Sequence, residues 1–472
     1  AKVAHRTSTT NIGLSLLANL TAYDFGYISV TRLLDRTTRA LNTVQSLEKY
    51  RGHLYNWYDT RSLACLQPKY ISSVDSGNFV GHLITLRQGL LALKEQPAFS
   101  GKCFDGLSDT VAVLKDLDQE NRELEMLQRE LELVRTNPPH DLYEVIASTD
   151  RLKTIATTWM HESEKREISV QLSEWGSLLM VQVNDIAADI VLLCPWIFLQ
   201  PPTDKLIPVK VVPDRVPTLL ELGEIQKSIL PGVKEYYQPS NSPGEDQWLD
   251  LLVSQVIVSS RRAKERISII DQLADTCSDL SEVDYDFLYS RSQRLLSIGY
   301  NADEHRRDNS FYDLLASEAR LGNFTAIAQG KLPQESWFAL GRQLTHAGGL
   351  PTLLSWSGSM FEYLMPMLVM PSYDNTLLNQ TMKGVVVKQI AYGKKRNVPW
   401  GVSESGYNMI DAAMNYQYRA FGVPGLGLKR GLGEDLVISP YSTVMALMVM
   451  PKDSVENLQL MSAEGFEGNW VL

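Results

Sequence analysis

Apolar residues recur at helical spacing along almost all of this 472-residue chain, and no strong run of strand-like alternation competes with them. Ile12 to Leu20 and Val30 to Tyr50 read as two amphipathic helices around Asp24-Phe25-Gly26. Phe79 to Leu93 reads as a third, with Ser76 as a cap, after a loop over Tyr55 to Asp75 that is rich in Tyr, Ser, Pro and Asp. Paired helices joined by long polar loops recur after that. The pattern predicts an all-α fold with more than half the residues in helix and negligible sheet. At 44% apolar residues, the chain can bury one large core or two ordinary ones.

The stretch from Cys103 to Val283 has its own texture. Asp116 to Arg135 is charged and heptad-like, proline clusters follow at Pro138-Pro139, Pro201-Pro202 and Pro213 to Pro217, and a second charged helix is expected over Trp248 to Cys277. Charge runs of this kind are solvated helix faces far more often than partner sites. The expected division is therefore a body made of residues 1–102 and 284–472, with 103–283 an inserted helical region.

Several function classes fall away on composition. A net charge of −10 argues against general nucleic-acid affinity. The four cysteines lie far apart with no CxxC spacing, against both a structural zinc site and a dense disulfide framework. Ala1 to Arg6 lacks the marks of a signal peptide. The longest apolar candidate, Ile186 to Phe198, is interrupted by Asp189 and Pro195, so no direct membrane span is expected. No metal-ligand cluster such as HExxH occurs, and His82, on a face with Phe79 and Leu86, reads as a core histidine. The glycine-rich run Gly425 to Gly433 lacks the closing Lys-Ser/Thr of a phosphate loop, and Ser357 and Ser403 have no evident histidine base. The chain begins without Met and stops abruptly at Val471-Leu472, which reads as a piece of something longer.

From Tyr285 onward Gly, Trp, Tyr, Asp and Glu crowd into loops: Gly299 to Glu304, Ser355 to Gly358, Val398 to Ser405, and Asn415 to Arg419. Sugar sites use this mixture, because aromatic faces stack on pyranose C–H surfaces while carboxylates, amides and guanidinium groups bind hydroxyls. Trp57, Tyr300, Trp356, Trp400, Tyr407 and Tyr416 are the candidate platforms, and Arg419 is a candidate hydroxyl binder. Taken singly, each aromatic is equally consistent with core packing.

Several segments in this order resemble one family. They are His5-Arg6-Thr7-Ser8-Thr9-Thr10-Asn11, Tyr55-Asn56-Trp57-Tyr58-Asp59, Val74-Asp75-Ser76-Gly77-Asn78, Gly299 to Glu304, Tyr312 to Leu321, Phe361 to Pro366, and Ser403-Glu404-Ser405 through Asp435. Together they resemble the glycoamylase-like central domain of bacterial cyclic β-1,2-glucan synthases. The resemblance implies an (α/α)6 toroid with its site at one end of the ring. It also implies retaining transglycosylation of linear β-1,2-glucan, with the polymer's own non-reducing end as acceptor. It implies no cofactor, neither nucleotide nor metal. In the parent proteins a glycosyltransferase domain and a phosphorylase-like domain are partners, at the cytoplasmic face of the inner membrane. The family continues past the segment like Ser462 to Gly465 into further helices. The toroid is therefore expected to be incomplete at the C-terminus, with Val471-Leu472 heading toward the gap and apolar faces uncovered near both ends.

Retaining chemistry needs two carboxyl groups roughly 5–5.5 Å apart, one acid/base and one nucleophile. Glu318 is the first choice. On a helix expected from Ser310 it shares a face with Phe311, Leu314, Leu315 and Leu321, where burial would raise its pKa as a general acid requires. The competing reading is a buried ion pair with Arg320 or Arg291. Glu404, in a Ser-Glu-Ser loop after Pro399-Trp400-Gly401, is the second choice, against a plain helix-start glutamate. The resemblance favours Glu318 as acid/base and Glu404 as nucleophile. Glu362, on a helix beginning near Ser359, is a close rival. Asp59, Asp303, Glu304 and Asp313 are candidate hydroxyl binders or structural partners. An endo-β-1,2-glucanase using the same site and a non-catalytic glucan-binding or scaffold module remain open alternatives, since acceptor geometry decides between transfer and hydrolysis.

Overall fold

The structure, a computed structural model, describes residues 4–206, 213–410 and 416–466. It is mostly helical, at 57% helix. The helices are α1 (Thr9–Asp24), α2 (Val30–Ser46), α3 (Ser73–Ala92), α4 (Lys102–Leu117), α5 (Arg122–Thr136), α6 (Leu142–Ser163), α7 (Val170–Leu193), α8 (Leu219–Gly223), α9 (Ile225–Lys234), α10 (Pro243–Ser281), α11 (Ala319–Ala328), α12 (Glu335–Ala339), α13 (Met360–Leu364), α14 (Leu377–Arg396), α15 (Pro440–Ala446) and α16 (Pro451–Ala463). The chain divides into two compact units. The first comprises Ala1–Ser15, Gln45–Thr85 and Leu280–Leu472, and the second Leu16–Val44 and Leu86–Asp279.

The first unit corrects the expectation of negligible sheet, because short antiparallel ladders occupy its loops. Arg6–Ser8 pairs with Trp57–Asp59, Tyr70–Ser72 with Gly299–Asn301, and Leu344–Ala347 with Leu350–Leu353. The tyrosines, threonines and tryptophans crowded there favour extended backbone; the first two ladders join segments distant in sequence, and only the third is a local hairpin. Gly348 and Gly349 join one hairpin with φ of +56° and +81°, the left-handed pair that a tight two-residue turn demands. Beneath the loops lies a core that includes Leu321, Tyr363, Leu364, Met382, Val385, Val386, Trp400 and Leu426. Each such large side chain contributes roughly 1.5–3 kcal/mol by leaving water. Tyr363 is fully buried, and its hydroxyl lies 2.9 and 2.8 Å from the carbonyl oxygens of Leu353 and Leu426. α14 lies on the Leu350–Leu353 strand so closely that a Cβ on Gly384 would stand 2.2 Å from Thr352 Oγ1.

In the second unit the heptad-like charged stretch resolves into two helices. α4 ends at Leu117, and α5 restarts behind Asn121, whose side chain accepts from the Leu124 amide. Leu124, Leu127, Leu131 and Val134 form the buried stripe of α5. α4 packs on α5 and α7, and α6 on α5 and α7. By length and composition α7 is apolar enough to cross a membrane. Its Leu172, Leu179, Val183, Ile186 and Ile190 are buried in the protein, and its Asp189 accepts from Arg266 at 3.0 Å. All four cysteines are unpaired.

Candidate active site

Glu318 does not lie within a helix running from Ser310. Residues Ser310 to Ser317 are held by non-local bridges, Ser297 to Phe311 and Leu314 to Gly341, and Glu318 caps the start of α11. The Ser317 hydroxyl donates to the Leu314 carbonyl at 2.8 Å and so bends the chain into the helix. Opposite stands α3, which begins at Ser73, six residues earlier than the apolar pattern suggests, with Ser72 Oγ accepting from the Asp75 amide at 3.2 Å. Two glycines let α3 and α11 touch: a Cβ on Gly77 would lie 2.4 Å from Gly322 Cα. That contact brings the fully buried Asn78 to Glu318, and its Nδ2 donates to Glu318 Oε2 at 2.8 Å.

The ion-pair reading of Glu318 fails on this geometry. The neighbouring Arg320 guanidinium turns away and donates to the carbonyl oxygens of Ser317, Glu362 and Tyr363 at 3.1, 3.3 and 2.5 Å. Arg291 is exposed, and among the described residues no ion pair reaches Glu318. The carboxyl keeps a partly accessible face yet is surrounded by protein. Burial pushes its pKa well above the usual carboxylate range, and the negative charges of Glu404, Asp75 and Glu362 push the same way against the Asn78 bond.

Glu404 is presented from a loop fixed one peptide earlier. Gln389 on α14, wholly buried, donates to the Val402 carbonyl at 2.8 Å and accepts the Val402 amide at 2.9 Å. Ser403 Oγ accepts the Phe361 amide at 3.0 Å, and the Tyr441 hydroxyl donates to the Glu404 carbonyl at 2.7 Å. The carboxylate itself accepts from the Tyr418 hydroxyl at 2.7 Å, with Ser359 Oγ at 3.5 Å from its other oxygen. Tyr418 belongs to the hairpin of Ser405–Ile410 and Tyr416–Arg419, where it stands opposite Gly406. Burial raises the Glu404 pKa to about 7, against the Tyr418 bond, which lowers it. Glu318 thus feels the charge of Glu404, and both feel those of Asp75 and Glu362, so the protons of this cluster leave in coupled steps.

Glu362 is placed nearby but is already engaged. Its Oε2 accepts from Ser355 Oγ, Ser357 N, Ser357 Oγ and Gly358 N at 2.8, 2.9, 2.6 and 3.1 Å, closing the turn ahead of α13. Trp400 is a correction: it is 7% exposed and packs in the core, so its indole offers no sugar platform. Asp59 is a turn residue. Its Oδ1 accepts from Arg61 N and Ser62 N at 2.8 Å each, bonds that hold its pKa down to about 2. Asp303 accepts from the Lys69 amide at 3.0 Å, and Glu304 pairs with Arg306 at 2.8 Å; both are exposed. Tyr300 stacks on Tyr50 at 5.5 Å, and the Arg6 guanidinium lies 5.2 Å from the Trp57 ring centre. Tyr407 packs edge-on against Phe421, and Arg419 pairs with Asp435 at 2.6 Å. Asp313 is partly buried beside Trp356. Its buried Oδ1 has no protein partner, and burial raises its carboxyl pKa beside Trp356, whose ring is exposed. Tyr416 opens its strand, but its side chain lies outside the described residues, as do Asn415 and Val471-Leu472.

Sequence reasoning missed Thr10, Asp75, Asn78, Tyr418 and Tyr441. Asp75 and Asn78 stand three apart on α3, one face of a helix, a spacing hidden by starting that helix at Phe79. Burial raises the pKa of Tyr312, which also senses Glu318 and Asp75.

Residues 310–469 match the Glycoamylase family model, described as "Putative glucoamylase". The chain is 36% identical over 471 residues, 99% of its length, to the cyclic beta-(1,2)-glucan synthase NdvB of Rhizobium meliloti (strain 1021), and spans 15% of that protein. An endo-beta-1,2-glucanase from Chitinophaga pinensis, solved with sophorotriose and glucose, aligns over 99% of this chain and 75% of its own at 10% identity and a TM-score of 0.47. Residues 310–469 are therefore similar to the Glycoamylase family model, and the chain is similar along nearly its whole length to one segment of a cyclic beta-(1,2)-glucan synthase.

Proposed function

We propose that this chain is the ring-closing segment of a larger glucan synthase and acts on linear β-1,2-glucan by retaining transglycosylation. Residues 1–102 and 284–472 would form the catalytic body, a glycoamylase-like (α/α)6 toroid, and 103–283 an inserted helical region. The parent would work at the cytoplasmic face of a bacterial inner membrane beside glycosyltransferase and phosphorylase-like domains. The observation that carries the reading is the grouping of Glu318 and Glu404, two carboxyl groups raised by burial, with the charge of Glu404 felt at Glu318 and those of Asp75 and Glu362 at both.

The more strongly raised Glu318 holds its proton and serves as the acid; Glu404, with its phenol donor, ionises first and serves as the nucleophile. Glu318 protonates the glycosidic oxygen as Glu404 attacks the anomeric carbon, giving a glycosyl-enzyme and a shortened glucan. The 2-hydroxyl at the non-reducing end of the bound chain then attacks that carbon. Its proton returns to Glu318, Glu404 leaves, and the ring closes. Neither step calls on a nucleotide or a metal.

The test is incubation with linear β-1,2-glucan followed by mass analysis. Ring closure yields products one water lighter than linear glucans of the same length, absent from Glu318→Gln and Glu404→Gln. Shorter linear products alone would establish the endo-β-1,2-glucanase alternative. Glucan binding without turnover would establish the scaffold alternative.

A further inference from the structure

Asn78 is wholly buried between α3 and α11, and its amide has a single consistent direction. Its Nδ2 donates one hydrogen to Glu318 Oε2 at 2.8 Å and the other to Thr10 Oγ1 at 3.2 Å. Thr10 then has one proton left, which it donates to Asp75 Oδ1 at 2.6 Å. Turning the amide over would draw the Thr10 proton onto the Asn78 carbonyl and strip the Asp75 carboxylate of that donor. The chain of bonds is therefore directional, from an anionic acceptor at Asp75 to an N–H aimed at one oxygen of Glu318.

An oxygen that receives an N–H cannot carry a proton pointing along the same line. We propose that Asn78, oriented by Thr10 and Asp75, is a positioning residue that confines the proton of Glu318 to Oε1. This rests on Glu318 being the acid of the proposed reaction, and it assigns which of its oxygens delivers the proton. Two further observations support it. The Gly77–Gly322 contact leaves no side chain to give way, so the donor distance is set by backbone against backbone. Asn78 Oδ1 has no partner among the described residues, a cost that buried amides seldom carry without a role.

The groups that bear on Glu318 come from several elements. Asp75 on α3, Glu362 on α13 and Glu404 in its loop raise its pKa through their charge. Arg320 follows it on α11, while Tyr312, Tyr418 and Tyr441 sense its charge from their own segments. Among the described residues only Asn78 donates a hydrogen bond to it, and that bond favours the carboxylate. Removing it must raise the Glu318 pKa further.

The decisive variant is Asn78→Ala, read two ways. Carboxyl titration by carbon-13 NMR of glutamate-labelled protein, with Glu318→Gln assigning the resonance, should move up by about half to one pH unit. Turnover of linear β-1,2-glucan should fall roughly 10- to 100-fold in kcat with little change in KM, and its alkaline limb should move to higher pH. Thr10→Val, which loses only the hydroxyl, should shift both readouts the same way by less, and it serves alone if Asn78→Ala does not fold. An unmoved titration and alkaline limb, with lowered thermal stability alone, would overturn the inference and make Asn78 structural. If the unaltered protein forms no product, the proposed function falls while the NMR titration still decides the bond to Glu318.

Discussion

Glu318 stands on packed helices and Glu404 on loops. The first is held where α3 meets α11 across two glycines, and its donor is an amide that reaches no solvent. The second is held by a glutamine clamp, two phenols and a hairpin, and its principal donor, Tyr418, is 55% exposed. Helix packing fixes a position through many contacts at once, so the acid side resists displacement. The loop side is fixed by a few directed bonds, each removable with one atom. Two carboxyl groups with the same intrinsic chemistry thus have different supports, the kind of difference that the proposed division into acid and nucleophile needs.

The sharpest way to break the contrast is to remove the carboxylates. Glu318→Gln and Glu404→Gln should each lower product formation by on the order of 10⁴-fold or more. Both folded-state pKa values are raised, so the unfolded chain releases these protons first and the native state loses stability as pH rises from the usual carboxylate range through the folded values. The Gln variants should therefore equal or exceed the parent in melting temperature at pH 8, and their stability should vary less between pH 5 and 8. A large loss of stability in Glu318→Gln would mean that the charge pairs with something.

Glu362 is the contrasting carboxylate, close by and with one oxygen engaged by four donors. Glu362→Ala removes the acceptor of Ser355 Oγ, Ser357 N and Ser357 Oγ, while the Gly358 amide keeps Ser355 Oγ, and should destabilise by roughly 2–4 kcal/mol in chemical denaturation. A neutral result would show that water replaces it easily. Tyr418→Phe removes one oxygen. Glu404 loses the bond that lowers its pKa, so the acidic limb of the rate profile should move to higher pH and kcat should fall about 10-fold. A shift of the alkaline limb instead would exchange the roles of the two glutamates. The smallest effect belongs to Asp59→Ala, which opens a surface turn; product formation should stay within about twofold of the parent.

Much of the helical body was legible because periodicity is local. α1, α2 and α10 lie close to where the apolar spacing puts them. Both glutamates of the proposed pair were singled out from the sequence, Glu404 from its Ser-Glu-Ser loop and Glu318 from an apolar spacing that the structure does not form as a helix. The support of Glu318 was not. Leu314 and Leu315 look like a helical stripe, but bridges to Gly341 and the Ser297–Phe311 pairing hold that segment, and these partners are distant in sequence. The first turn of α3, Ser73 to Asn78, is poor in helix formers and is helical because it packs on α11 and is capped by Ser72. Tyr418 reaches Glu404 only through a hairpin register broken by a bulge between Tyr407 and Ile410, which no short-range spacing encodes.

The Gln389 clamp gives the loop at Val402 both bonds that a neighbouring strand would supply, an N–H to its carbonyl and an oxygen to its amide. A single side chain thus stands in for a ladder partner. In hydrogen–deuterium exchange the Val402 amide should behave as if it belonged to a sheet interior, with protection set by the opening of α14 rather than by fraying of the loop. Gln389→Leu should release it to exchange orders of magnitude faster, leaving the amides within α14 as slow as before.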